Sequence, residues 1–454
     1  MASVYDRWHL SRPKKGAEPC AEHSSKTRVL VPSKDHGKGK RWQVRWRDTA
    51  GEQQKENFAK RSQADTRAAT IEADLARGLY VDPAAGKESF RAVAERWRTS
   101  AVHRDGTASR VERALRLHIY PTFADRPIVT IRPSEVQAWV KDRSQALAPS
   151  TLRVTFAYMV TIMHTAVRDR TIALNPCAGI KLPEVRRPEI VPLHKDAVHA
   201  LIEAAPPRYR AMVLFAVASG LRQGEVFGLE VDCIDFLRRE VRVRQQLVTP
   251  DKDTDAVEDE GESPESYLGE PKTHESYRTV PLVGVAVDAL AAHLQQFPAA
   301  VVDIEDRTDP RKPRRRKARL LFTNDRNGVI KRASWSHVWT RMEERANEAL
   351  SKVYAEAYAE WVQRGRPEGE EPSLVRVPDG ASMHDLRHFY ASALIKNRES
   401  VKTVQRRLGH SKPSITLDTY THLWPDDEDT TRAAIEAVLG GVPALCPPAQ
   451  ITSG

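Results

Sequence analysis

Residues 408–423 read LGHSKPSITLDTYTHL, and they place one aromatic side chain, Tyr420, in polar company. Thr416, Asp418, Thr419, Thr421 and His422 surround it along the chain, and Gly409-His410 lies a short way upstream. A tyrosine used only for core packing keeps apolar neighbours, because its ring is buried together with theirs. The stretch points instead to a phenol kept for chemistry, and the rest of the chain has to supply what a phenol needs.

Three other stretches of the C-terminal half offer it. ASGLRQGEVFGL (218–229) sets Arg222 just after a Ser-Gly turn, with Glu225 three residues on. GEPKTHESYRTVPL (269–282) puts Lys272 at the tip or start of a strand hairpin. MHDLRHFYAS (383–392) gives His384 and Arg387 one helix face through their i, i+3 spacing. Cutting a phosphodiester without a metal requires cations for the non-bridging oxygens, and arginine binds them bidentately and stays charged. It also requires a nucleophile and a proton donor for the leaving 5′ oxygen. Only about one free tyrosine in a thousand is phenolate at neutral pH, so a neighbouring base or a strongly positive pocket must help it. Taken singly each signal is weak: an HxxR pair is more often surface or satisfied core, and Lys272 or Glu225 alone is an ordinary lysine or salt-bridge partner. A histidine-based metal hydrolase fits worse. His384 and His388 are one turn apart, yet no carboxylate or third ligand accompanies them in the HExxH manner, and Arg387 between them repels a cation.

The bulk properties agree with a nucleic-acid partner. The chain of 454 residues has room for roughly two to four domains, at on the order of 100–200 residues each. Its hydrophobic fraction of 40% suits a globular protein with a core, and a net charge of +10 with pI ≈ 9.4 favours a polyanion. The four cysteines (Cys20, Cys177, Cys233, Cys446) are scattered without a CxxC pair, so they read as reduced thiols and not as a disulfide framework or a zinc site. No metal and no cofactor is expected. MASVYDRWHLSRPKKG lacks the apolar stretch of a signal peptide, and the longest apolar run, AMVLFAVASGL (211–221), is too short for a bilayer. A soluble cytoplasmic protein with no membrane partner is the expectation.

Along the chain, residues 1–25 are polar and aperiodic and read as disordered. KRWQVRWRDTAGEQQKENF (40–58) alternates: Trp42, Val44 and Trp46 face one way, and Arg41, Gln43, Arg45 and Arg47 the other. Two strands joined by a turn at Asp48–Gly51, with a helix behind them closed by Gly78, give a small α/β module over 26–83, its basic face suited to DNA. Residues 87–182 carry apolar residues at helical intervals and predict an all-α domain of four to five helices, with Ser134 and Ser150 as N-caps. PEVRRPEIVP (183–192) reads as an extended linker. A mixed α+β, mainly helical unit follows over 193–440, with REVRVRQQL (239–247) and YRTVPL (277–282) as strands. The acidic run DKDTDAVEDEGESPES (251–266) and the basic run DPRKPRRRKAR (309–319) read as exposed loops, and residues 441–454 as a flexible tail.

The stretches SGLRQGEVFGL, HDLRHFYAS and LGHSKPSITLDTY resemble, nearly letter for letter and in the same order, the three catalytic boxes of the tyrosine recombinases, in particular the integrases of phages and integrative elements. The resemblance covers essentially the whole chain: the 26–83 module is similar to an arm-type DNA-binding domain and 87–182 to a core-binding domain. It implies that Arg222 and Arg387 clamp the scissile phosphate, His384 assists proton removal, His410 binds a phosphate oxygen, and Lys272 is the general acid. It further implies that Glu225 steadies these groups from behind and that Tyr420 attacks phosphorus to give a 3′-phosphotyrosyl link. The basic face contributes Arg41, Arg45 and Arg47 as candidate DNA contacts. Implied partners are double-stranded DNA at attachment sites, a homotetramer on that DNA, and a DNA-bending or directionality factor, in the nucleoid of a bacterial host. In relatives the segment after Tyr420, HLWPDDEDTTRAAIEAVLGG (422–441), contains a helix that docks on a neighbouring protomer. The long acidic run just before Lys272 departs from the pattern and bears on that residue's role. The basic run has no counterpart in it. Two alternatives differ in outcome: a type IB topoisomerase, disfavoured by the two-part N-terminal region, and a catalytically silent DNA-binding regulator with the same fold, for which Tyr420→Phe changes nothing.

Overall fold

Alternation along residues 42–47 produces the first sheet. Ser3–Asp6 (β1), Trp42–Arg47 (β2) and Gln53–Phe58 (β3) are antiparallel in the order β1-β2-β3. Val44 and Trp46 of β2 pack with Ala64, Ala68 and Ile71 of the helix α1, Arg61–Arg77. Gly78 closes that helix at φ 70°, a left-handed conformation that a residue without Cβ adopts freely. The computed structural model describes all residues except 1, 16, 26, 49–50, 79, 81–84, 186–188, 251–264 and 425–454. Residues 251–264 of the acidic run, the segment after Trp424 and the expected flexible tail therefore lie outside the described residues.

The expectation of a disordered 1–25 does not hold. β1 pairs with β2 from Ser3↔Arg45 to Asp6↔Trp42, and Leu10 and Cys20 bond through their backbone N–H groups to Val31 and Leu30. Few apolar residues mark this segment, so periodicity gives no sign of it; backbone pairing and polar contacts hold it instead. β2 is accordingly a central strand, and its second face is not simply basic. Gln43 is buried and donates to Asn57 Oδ1 at 2.8 Å, and Arg41 is held by Asp6 at 2.7 Å. Arg45 lies over the Tyr5 ring at 4.7 Å, and Arg47 donates to the Gly51 carbonyl at 2.8 Å.

The helical region comprises α2 (Phe90–Ser100), α3 (Asp105–Ala114), a π-helical turn at Leu115–Ile119 leading into α4 (Tyr120–Phe123), α5 (Pro133–Ala146) and α6 (Pro149–Arg168). Phe90, Leu115, Phe123, Trp139, Leu152 and Met159 meet in its core. Ser134 and Ser150 are not caps. Pro133 and Pro149 occupy the first helical positions, where a missing N–H costs nothing, so the caps fall at Arg132 and Ala148.

Chain contacts separate Met1–Arg186 from Arg187–Gly454. In the second unit, helices α7 (Lys195–Ala204), α8 (Pro207–Ser219) and α9 (Gln223–Phe227) precede β4 (Ile234–Asp235), β5 (Glu240–Val243), β6 (Gln246–Val248), β7 (Tyr267–Gly269) and β8 (Arg278–Pro281). Then come α10 (Gly284–Gln296), β9 (Ala300–Arg307), β10 (Arg314–Leu320), α11 (Arg332–Gln363), α12 (Met383–Lys396), α13 (Val401–Leu408) and α14 (Pro413–Tyr420). One sheet runs β4-β5-β8 and the other β10-β9-β7-β6, antiparallel except between β7 and β9. One apolar core extends from Leu193 to Leu386 across most of these helices and strands.

Two expectations change here. The run 239–247 is not one strand but β5 and the start of β6, which sit in different sheets. The basic run is not a loop, because residues 314–320 form β10. Its alternation puts Ala318 and Leu320 inward, in line with Arg316, which forks onto Glu230 at 2.8 and 2.9 Å and reaches buried Asp306 at 2.7 Å. An arginine matched by two carboxylates is tolerated in a strand that its charge alone disfavours. Among the described residues no helix is long and apolar enough to cross a membrane.

Candidate active site

Each end of the site is shaped by a turn that only glycine serves well. α8 ends at Gly220, φ 61°, where an added Cβ would strike the Tyr390 ring. The turn delivers Arg222 as the residue capping α9. Glu225, three positions on, accepts from the Arg222 backbone N–H at 3.0 Å and from its guanidinium at 2.9 Å. The second turn, Gly409 at φ 65°, ends α13 against the backbone of Glu275 and Ser276, and its carbonyl accepts from Arg222 at 3.1 Å.

Glu225 is 2% exposed, and its charge is matched from two sides. Arg278, at the start of β8, grips both carboxylate oxygens at 2.8 and 3.2 Å. Burial pushes the Glu225 carboxyl up, but Arg278, Arg222 and Arg387 outweigh it and hold the group below its ordinary value. Arg387 is itself buried, donating to the carbonyls of Gly220 at 2.7 Å and Leu408 at 2.6 Å. Burial, then the charge of Arg222, brings its guanidinium down to about 9, so it remains charged at neutral pH.

α12 starts at Ser382, whose hydroxyl accepts from the His384 N–H at 3.2 Å while Asp385 bonds back to the Ser382 N–H at 2.8 Å. The helix turns His384, Arg387 and His388 to one side. His384 is exposed at its first turn, and its imidazolium is disfavoured by burial of the ring's surroundings and then by Arg387. The His388 ring stands edge-on to it at 4.6 Å, and burial, then His384, hold His388 down to about 4. His410 bonds Thr416 Oγ1 through Nδ1 at 2.9 Å and is held down to about 3 by burial and then by Arg387, Arg222 and Arg278. All three rings are neutral at pH 7. Lys272 is exposed between β7 and β8, following the strand and not at a hairpin tip, and is near enough to His384 to disfavour its protonation.

Tyr420 departs from what its neighbours in sequence suggest. It is 1% exposed and packs with Ala391, Ile395, Val404 and Leu408. Thr416 and Tyr420, four residues apart on α14, face inward, while Leu417 and Asp418 face out. The polar company is thus the outer face of a short helix. The phenol oxygen and His388 Nδ1 are 2.7 Å apart, and burial pushes the phenol up to about 12 despite Arg387.

Of the residues singled out in the sequence, the structure therefore gathers Arg222, Glu225, Lys272, His384, Arg387, His410 and Tyr420 around one cluster. Arg41, Arg45 and Arg47 belong to the other unit. Arg278 and His388 were not singled out as site residues. The four-residue spacing of His388 from His384 was a usable sign, whereas nothing local announces that Arg278 will meet Glu225.

The phage integrase family model matches residues 192–426. A XerC-like tyrosine recombinase of Caldanaerobacter subterraneus is 27% identical over 307 residues, covering 66% of this chain and 69% of its own. The integrase of Mycobacterium phage FRAT1 is 23% identical over 333 residues, covering 73% and 83%. Among solved structures, the Tn1549 transposon integrase in complex with transposon right end DNA superimposes with a TM-score of 0.59 at 18% identity, over 77% of this chain and 99% of that one. A lambda integrase dimer bound to a COC′ core site gives 0.50 at 13% identity, over 85% and 93%. At these identities the structural likeness speaks for the multidomain fold.

Proposed function

The chain belongs to the phage integrase family and is a tyrosine-type site-specific recombinase; from this we propose that Tyr420 is its nucleophile and that the cluster around Glu225 is its phosphate clamp. Arg222 binds the non-bridging oxygens of a DNA phosphodiester, joined by Arg387 once the same movement that frees Tyr420 uncovers it, since at 2% exposure it is as buried as the tyrosine. The three arginines against the single carboxylate of Glu225 leave a positive surplus for that anion, and this surplus is the observation that carries the reading. Glu225 and Arg278 set the position of Arg222 and do not touch the phosphate.

A tyrosine 1% exposed cannot reach a phosphate, so α14 shifts outward on DNA and breaks the His388 bond. The phenol oxygen then bonds to phosphorus as the bond to the 5′ oxygen breaks. Neutral His384 takes the phenol proton and Lys272 gives one to the departing 5′ oxygen, which leaves as a hydroxyl. His410, fixed through Thr416, bonds a phosphate oxygen by its other nitrogen. The 3′-phosphotyrosyl link retains the energy of the phosphodiester, so a partner strand's 5′ hydroxyl reseals it without ATP.

The 26–83 module contacts outlying DNA sites through Arg45 and Arg47, and Arg41 orders the module from within. The 87–182 helices grip the core site, 183–192 links them to the catalytic region, and four protomers act together on two attachment sites with a bending or directionality factor. The test is a nicked suicide DNA built from sequence flanking the gene, run on a denaturing gel with Tyr420→Phe alongside. A slow protein–DNA band that needs the tyrosine is expected. Binding to that DNA without a band would move the assignment to a silent regulator.

A further inference from the structure

Cys20 is not an isolated thiol. Its Sγ lies 3.5 Å from His23 Nδ1 and 3.2 Å from His36 Nε2, and those two nitrogens are 3.3 Å apart. His9 completes the group, with the ligand atoms of all four residues within 4.8 Å of one another. We propose that His9, Cys20, His23 and His36 bind one structural zinc ion in the N-terminal module.

The distances are those of an ion's coordination shell. Tetrahedral zinc with bonds of about 2.0–2.1 Å to nitrogen and 2.3 Å to sulfur has ligand atoms about 3.3–3.6 Å apart. Three of these atoms form such a triangle already. The three imidazoles stand edge-on to one another with centroids 5.1–5.3 Å apart, as rings do when they radiate from one centre. Trp8 covers His23 and His36, both at 5.7 Å.

The fourth ligand gives the independent sign. His9 is 5% exposed, and its Nε2 has no hydrogen-bond partner among the described residues. Its other nitrogen, Nδ1, is 2.8 Å from Asp6 Oδ2. A carboxylate there takes the Nδ1 proton and leaves Nε2 as a bare lone pair, the arrangement that orients a metal-bound histidine. Asp6 is held in turn by Arg41, at 2.7 and 3.1 Å from the same oxygen. Buried as a hydrogen-bonded network, the cluster would leave that nitrogen desolvated and unused; around an ion all four donors are satisfied. One thiolate and three neutral imidazoles suit zinc, a borderline ion that accepts both.

The ion would do the work that apolar packing cannot do here. Among the described residues the apolar cluster of this module is six buried side chains, and between Cys20 and Val44 the buried apolar residue is Val31, outside that cluster. A metal tying residues 9, 20, 23 and 36 closes that segment and keeps β1 on the edge of β2.

The test uses the full-length chain, purified from zinc-supplemented medium and passed through a desalting column. Elemental analysis should find about one zinc per chain. Cys20→Ser combined with His23→Ala should lower this to below about a tenth, whereas His36→Cys, which keeps a zinc ligand, should retain it. Cobalt(II) added to the apo chain should give the visible bands of a tetrahedral ion and a near-ultraviolet thiolate band that Cys20→Ser removes. Because wild-type zinc content needs no variant to fold, it decides on its own. A folded wild-type chain with only trace zinc and no cobalt bands would overturn the proposal, as would zinc undiminished in the double variant.

Discussion

Two of the clusters of ionisable side chains among the described residues are built in opposite ways. Around Glu225 the parts come from α9, β8, α12 and the α13–α14 turn, far apart in the chain, and opposite charges hold them together. Around Cys20 the parts come from one stretch of residues 9–36, and lone pairs facing one point hold them. The first leaves a positive surplus at an anion's position; the second offers donors to a cation. Arrays of arginine, lysine and histidine near a phosphate are recognisable from their residue types alone, whereas four ligands with unequal spacings among prolines, glycines and lysines are not.

The largest expected effect breaks the charge balance of the first cluster. Glu225→Ala leaves Arg278 and Arg222 buried or half-buried without their counter-charge and should cost about 3–5 kcal/mol in urea unfolding. A loss under about 1 kcal/mol would mean the carboxylate is incidental. Next, Arg222→Lys keeps the charge but loses the fork. Cleavage of the suicide DNA should fall on the order of 10²-fold, with DNA binding little changed.

Acid sharpens the contrast further. His388 and His410 are held at about 4 and about 3, against about 6.5 in an unfolded chain. Between those values the unfolded chain binds protons that the folded one refuses, so stability should fall as pH drops from about 6.5 and level off below about 3. Discounted for partial exposure, each ring is worth on the order of 1 kcal/mol at pH 5, and His388→Gln should flatten the thermal-melt profile accordingly. The smallest effect belongs to β10. Arg315 pairs with Glu265 and Asp303 on the surface, so Arg315→Ala should leave the urea-unfolding midpoint essentially unchanged.

The sequence was most legible where one period or one chemical pattern governs. The 90–168 helices announce themselves by apolar spacing, and their starts were misplaced only because Pro133 and Pro149, not the serines beside them, set the first turn. Runs of charge were harder to read. Residues 314–320 look like a loop until Glu230 and Asp306 are known to lie opposite Arg316. The same limit hid Arg278, and it hid the burial of Tyr420, whose polar neighbours turn outward once α14 forms.

If Tyr420 is the nucleophile, a tyrosine buried beside His388 becomes the residue joined to DNA. The most direct measurement is mass-spectrometric mapping of the trapped adduct, together with end-labelling of the released strand. A single linked peptide carrying a 3′-phosphate ester on Tyr420 is expected, with a free 5′ hydroxyl on the other strand end. A link at Tyr390 or Tyr277, or a 5′-phosphate ester, would contradict it.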